Sequence, residues 1–80
     1  MNAIKPSDIL NLEGVPCPQN SAKAILKIAG MDTGALLEII VDDGEPIENV
    51  PPSLEEDGSC NIIDKVQGDD GMWHIFVKVK

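Results

Sequence analysis

Gly14-Val15-Pro16-Cys17-Pro18-Gln19-Asn20 is the stretch on which the reading of this chain turns. It places one Cys between two prolines, directly ahead of a helical pattern. Pro18 suits the first position of a helix, where its missing N–H costs nothing. Cys17 is then expected as the N-cap, with its sulfur at the positive end of the helix dipole beside unpaired backbone N–H groups. A thiol so placed loses its proton more easily, and the thiolate is the reactive form. Before the stretch, Ile9–Glu13 reads as a short strand, with Leu10 and Leu12 sharing its inner face. After it, Pro18–Ala29 reads as a helix, with Ala22, Ile25, Leu26 and Ala29 as the inward stripe. Gln19, Lys23 and Lys27 line another face, and Gly30 ends the element.

Further along, Leu36–Val41 is an apolar run of strand length, with Leu37, Ile39 and Val41 on one side. Glu45–Asp57 has an inward spacing at Ile47, Val50 and Leu54, but Pro51 and Pro52 interrupt it. A proline inside a helix costs about 3 kcal/mol. The expectation is therefore one short turn, a break, and a second short helix from Pro52 to Asp57, closed by Gly58. Cys60–Val66 and Trp73–Val79 read as strands joined by the turn-rich Gly68-Asp69-Asp70-Gly71. Trp73, Ile75, Val77 and Val79 alternate with polar positions, as in a half-buried strand. The order strand, helix, strand, helix, strand, strand suits a two-layer α+β sandwich, a single domain over residues 1–80 with a loose lead-in at 1–7. With both helices on one sheet face, Ile9, Leu36, Ile40, Ile63 and Phe76 are left as an apolar patch on the other, fit for a partner or a dimer.

Composition narrows the function. The 80 residues carry fourteen Asp/Glu against six Lys and no Arg, and Trp73 and Phe76 are the only aromatics. Seven of the acids fall within Asp42–Asp57. Nucleic-acid binding draws on basic surface, and single strands also on aromatic stacking, so neither is expected. The acidity suits solubility or docking onto a basic partner. No apolar run reaches the roughly 20 residues of a membrane span, and Met1–Asp8 lacks the apolar run of a secretory signal. A cytoplasmic protein with reduced thiols is expected. No Cys/His spacing is of the metal type. Asp42, Asp43 and Glu45 match no cation loop and read as a strand-end turn. Cys60 reads as a core or edge thiol, His74 as a surface histidine, and Met31, Met72 and Trp73 as packing.

Leu10-Asn11-Leu12-Glu13-Gly14-Val15-Pro16-Cys17-Pro18 resembles the opening signature of the TusA/SirA-like sulfur-carrier family, and the resemblance extends over nearly the whole chain. Asn49-Val50-Pro51 and Leu54–Gly58 resemble its second-helix segment, which carries its own proline. The resemblance implies a βαβαββ sandwich with a four-stranded mixed sheet and both helices on one face. It implies that Cys17 takes up sulfane sulfur as a persulfide and passes it on, a relay rather than a stand-alone multiple-turnover enzyme. The implied donor is a cysteine desulfurase or a rhodanese-like protein. The implied acceptor serves tRNA thiolation, molybdenum cofactor work or sulfur oxidation. No metal or organic cofactor is expected, and a monomer is. Pro16, Pro18 and Asn20 are the expected supporting residues, and Gln19, Lys23 and Lys27 the expected partner contacts. Two positions depart from the family pattern: Asn20 replaces the second proline of Cys-Pro-x-Pro, and Glu13 stands where Arg is common. A non-catalytic interaction module and a Cys17/Cys60 redox switch are the competing readings.

Overall fold

A computed structural model of the chain describes residues 6–16 and 18–80. Among these, the elements run β1 (Asp8–Asn11), α1 (Gln19–Ala29), β2 (Leu36–Val41), α2 (Glu45–Asp57), β3 (Cys60–Gln67) and β4 (Trp73–Val79). The four strands form one mixed sheet in the order β1-β2-β4-β3. β1 pairs parallel with β2, while β4 pairs antiparallel with both β2 and β3. The expected βαβαββ two-layer sandwich is the architecture observed.

The core follows the strand alternation. Leu37, Ile39 and Val41 of β2 are buried, as are Ile75, Val77 and Val79 of β4. Val50 and Leu54 of α2 and Ala24 and Ile28 of α1 close over them, with Leu12 and Cys60 at the margins. Each fully buried aliphatic side chain contributes on the order of 1.5–3 kcal/mol. Two large aromatics are thus not needed to fill this interior.

Three expectations are corrected. First, α1 buries Asn20, Ser21, Ala24 and Ile28, with Ile25 packed at the edge of the core. Ala22 and Ala29 are exposed, and Leu26 is 76% exposed. The helix carries two competing apolar stripes, and Ile25 borders both. The buried line runs Asn20, Ala24 and Ile28, four residues apart, with Ser21 beside it. Second, α2 is one continuous helix with Pro51 and Pro52 inside it. Each proline withholds an N–H from the helix, yet Val50, Pro51 and Leu54 are buried, and that tertiary burial offsets the lost bonds. Gly58 then ends α2 in the left-handed region at φ 78°, its N–H bonded to the Leu54 carbonyl. Third, α1 begins at Gln19, one residue later than expected, with Pro18 and not Cys17 at its cap position.

The helix-free sheet face carries Ile9 (56% exposed), Ile63 and Val66, with Leu36, Ile40 and Phe76 half-buried among them. This apolar patch is crossed by a polar pair. His74 Nδ1 lies 2.7 Å from Glu38 Oε2, and both side chains are largely covered. His74 is thus a paired, half-buried residue and not a plain surface one. Hydrogen bonding to Glu38 holds its pKa above the usual histidine value against the opposing effect of burial, with Asp70 adding a smaller push.

Candidate functional site

Cys17 lies outside the described residues, but Pro18 holds the cap position of α1, so the expectation that Cys17 is the N-cap is corrected. The segments on either side of it are fixed closely. Leu12 N–H bonds the Ile40 carbonyl at 2.8 Å, tying the end of β1 to β2. Glu13 N–H bonds Asn11 Oδ1 at 2.8 Å, and Val15 N–H bonds the Leu12 carbonyl at 3.0 Å. Gly14 N–H bonds Asp42 Oδ2 at 2.8 Å, across 28 positions of sequence. Every N–H from Leu12 to Val15 therefore has an acceptor, and Pro16 has no N–H to satisfy. Gly14 sits at φ 76°, a conformation that costs little only for glycine.

Past the Cys, Asn20 N–H bonds the Pro16 carbonyl at 3.0 Å and Ala22 N–H the Pro18 carbonyl at 3.2 Å. Helical bonding thus reaches back to Pro16. No acidic residue lies in the first turn of α1, and none occurs anywhere from Gly14 to Met31. The positive end of the helix is therefore not offset by carboxylates of its own segment. The acids come from other elements: Asp42 bonds the loop, and Glu45 joins Val15, Pro16 and Pro46 in lining an open cleft of about 340 Å³.

Asn20 is fully buried on the inner face of that first turn. Its Oδ1 accepts from Ser21 N–H at 2.7 Å. Among the described residues its Nδ2 meets no acceptor. A buried donor left without an acceptor costs about 1–3 kcal/mol. Position alone marked Asn20 as a neighbour of the Cys; its burial and unpaired donor are visible only in three dimensions.

The other expected residues separate. Pro16, Pro18, Gln19 and Lys23 are exposed around the start of α1. Lys27 is engaged in an ion pair with Asp8 of β1, which holds the Asp8 carboxyl below its ordinary pKa. Lys27 is therefore a brace between α1 and β1 before it is anything else. Asp42 and Asp43 form the strand-end turn, as expected, but each also makes a long-range bond that the sequence did not announce. Asp43 Oδ1 accepts from the Trp73 indole at 2.8 Å.

Cys60 is buried to 3% exposure at the start of β3, where it pairs with Val79. Burial, reinforced by Asp57, pushes its thiol pKa up, with Lys80 pulling weakly the other way. Asn61, its neighbour, aligns through Lys78 with Leu36, the first residue of β2. Gly14 instead attaches at Asp42, beyond the last residue of β2. A strand of this length spans roughly 20 Å, and disulfide-bonded Cα atoms lie within about 7 Å. Cys60 is thus at the sheet end remote from Gly14. No group of three His, Cys, Asp or Glu among the described residues could hold a metal, and no helix among them is long and apolar enough to cross a membrane.

The family profile described as "Sulfurtransferase TusA" matches residues 8–79. The chain belongs to the TusA family. The matched span contains the whole Gly14–Asn20 stretch and every strand and helix. A relative in Archaeoglobus fulgidus, named "Putative sulfur carrier protein", is 27% identical over 77 residues, covering 96% of this chain and 86% of its own length. The crystal structure of a SirA-like protein from Desulfitobacterium hafniense superposes with a TM-score of 0.75 at 18% identity, over 89% of this chain and 95% of that one. That likeness is one of fold: the TusA/SirA-like sandwich is common to both.

Proposed function

We propose that this protein carries sulfane sulfur as a persulfide on Cys17, between a donor protein and an acceptor in a sulfur-trafficking pathway. Family membership over residues 8–79 is the observation that carries the proposal. The geometry around Gly14–Asn20 supports it: a hydrogen-bonded approach, two prolines, and a helix start free of acidic residues. The donor is a cysteine desulfurase or a rhodanese-like protein whose own cysteine bears the sulfane sulfur. The Cys17 thiolate attacks the outer sulfur of the donor's Cys–S–SH. A new S–S bond forms on Cys17, the donor's S–S bond breaks, and the donor leaves as a thiolate. Passing the sulfur to the acceptor repeats the exchange, with Cys17 as the leaving thiolate. No net oxidation occurs, so the relay needs no cofactor of its own.

Pro16 and Pro18 stiffen the mount, and Asn20 supplies a buried amide in the first turn of α1, three positions after Cys17 in sequence. Gln19 and Lys23, both exposed on α1, are the partner contacts, and Lys27 adds its charge from within its pair with Asp8. Glu13 in the loop and Glu45, which lines the cleft with Val15 and Pro16, add negative charge beside the Gly14–Pro16 approach. The buried, remote Cys60 argues against an intramolecular redox switch.

The test is intact-protein mass spectrometry after incubation with a cysteine desulfurase and L-cysteine, and separately with inorganic polysulfide. The expected result is a gain of about one sulfur mass on Cys17, removed by dithiothreitol and absent in Cys17→Ser. A Cys17→Ser variant that takes up sulfur as well as the wild type overturns the proposal.

A further inference from the structure

The two acids that end β2 form a tie between three parts of the sheet. Asp42 Oδ2 accepts the Gly14 N–H at 2.8 Å, and Asp43 Oδ1 accepts the Trp73 indole at 2.8 Å. The turn that follows β2 is thereby fastened to the first residue of β4 on one side and to the loop leading to Cys17 on the other. Of the four hydrogen bonds that organise Leu12–Val15, two stay within the loop and one joins β1 to the β2 main chain. The fourth, from Gly14, is the one that depends on a distant side chain. It also closes on the residue that needs a left-handed backbone, where glycine has the most freedom to lose. A charge-assisted bond at that point restrains the loop where its own chemistry restrains it least.

We propose that Asp42 is a positioning residue for sulfur transfer: its carboxylate holds Gly14, and so orders the Gly14–Pro16 approach to Cys17 before a partner docks. The inference rests on the carrier reading above. It adds a role for a carboxylate that acts through the Gly14 N–H. A protein donor must meet the thiol in one orientation, so a loop ordered in advance loses less freedom on docking. A small donor has no such requirement.

The experiment compares Asp42→Ala, Asp42→Asn and an Asp69→Asn charge control. Three quantities are read: amide exchange at Gly14 by NMR, sulfur loading of Cys17 from a cysteine desulfurase with L-cysteine, and loading from inorganic polysulfide. In Asp42→Ala, Gly14 exchange rises about tenfold or more and loading from the desulfurase falls by a similar factor, the ratio one charge-assisted bond sets. Loading from polysulfide stays within about twofold, because a small donor gains little from a pre-ordered loop. Asp42→Asn keeps an oxygen that accepts the Gly14 N–H, and it restores both quantities; Asp69→Asn leaves them at wild-type values. Desulfurase loading that is equal in wild type and Asp42→Ala overturns the proposal. So does an Asp42→Asn that loads no faster than Asp42→Ala, which would make the charge and not the bond the cause. Those outcomes leave the carrier reading intact. A wild type that loads from neither donor sinks the carrier reading and this proposal together.

Discussion

Asn20→Ala should make the protein more stable. The side chain is fully buried, and its Nδ2 has no acceptor among the described residues. Removing that unpaired donor recovers about 2 kcal/mol, the middle of the range for such groups. Alanine is also the better helix former by about 0.5 kcal/mol. Against this, the bond from Ser21 N–H to Asn20 Oδ1 is lost, worth about 1 kcal/mol. The vacated space is that of one carboxamide, roughly 30 Å³, which costs about 0.7 kcal/mol. The balance is a gain of about 1 kcal/mol, or a rise in Tm of about 4–8 °C for a domain of this size. Urea and thermal denaturation of the two proteins measure it directly. Persulfide loading of Cys17 should fall in the same variant, since a destabilising group persists where function uses it. A loss of 1 kcal/mol or more on substitution would refute the reasoning, because the amide would then be satisfied in solution.

Two further predictions concern the other titratable groups of the fold. His74 has its pKa raised chiefly by Glu38, so the pair contributes fully below the ordinary histidine value near 6.5 and fades as pH climbs through the raised one. Glu38→Gln should therefore cost on the order of 1.5 kcal/mol at pH 5 and far less at pH 9, read from urea midpoints at both; a cost independent of pH would show that the pair is not ionic. Cys60, buried with its thiol pKa raised, should resist iodoacetamide in the native protein at pH 8 and react only on unfolding, as peptide mass mapping would reveal.

The strands were legible in the sequence because their alternation has no rival reading. Leu37, Ile39 and Val41 can share only one side of a strand, and the same holds for Ile75, Val77 and Val79. The α1 face was not, since Ala22–Leu26–Ala29 and Ala24–Ile28 are both plausible stripes, and only packing against the sheet and α2 selects one. The proline pair in α2 misled for a related reason. The local penalty at Pro51 and Pro52 is real, but burial of Val50, Pro51 and Leu54 outweighs it, and burial is not a local property. At the candidate site, Cys17 and its prolines could be picked out from their order alone. Asp42 could not: its partner Gly14 lies 28 positions away, and the two meet only because β1 and β2 run parallel side by side.

The place of β4 in the sheet bears on how this protein comes into being. β4 lies between β2 and β3 and is the last strand of the order. Until Trp73–Val79 inserts, β2 has only the four-residue β1 beside it and β3 has no neighbour in the sheet. The contacts of β4 with β3 are those of a hairpin, whereas those with β2 reach back across α2 and β3 and are long-range, which chain entropy makes slower to form. The turn that grips Gly14 is itself held by Trp73. A chain in which β4 has not docked therefore lacks the tie that Trp73 makes to the turn holding Gly14. A partner that reads the ordered Gly14 loop would thereby distinguish a finished fold from an unfinished one.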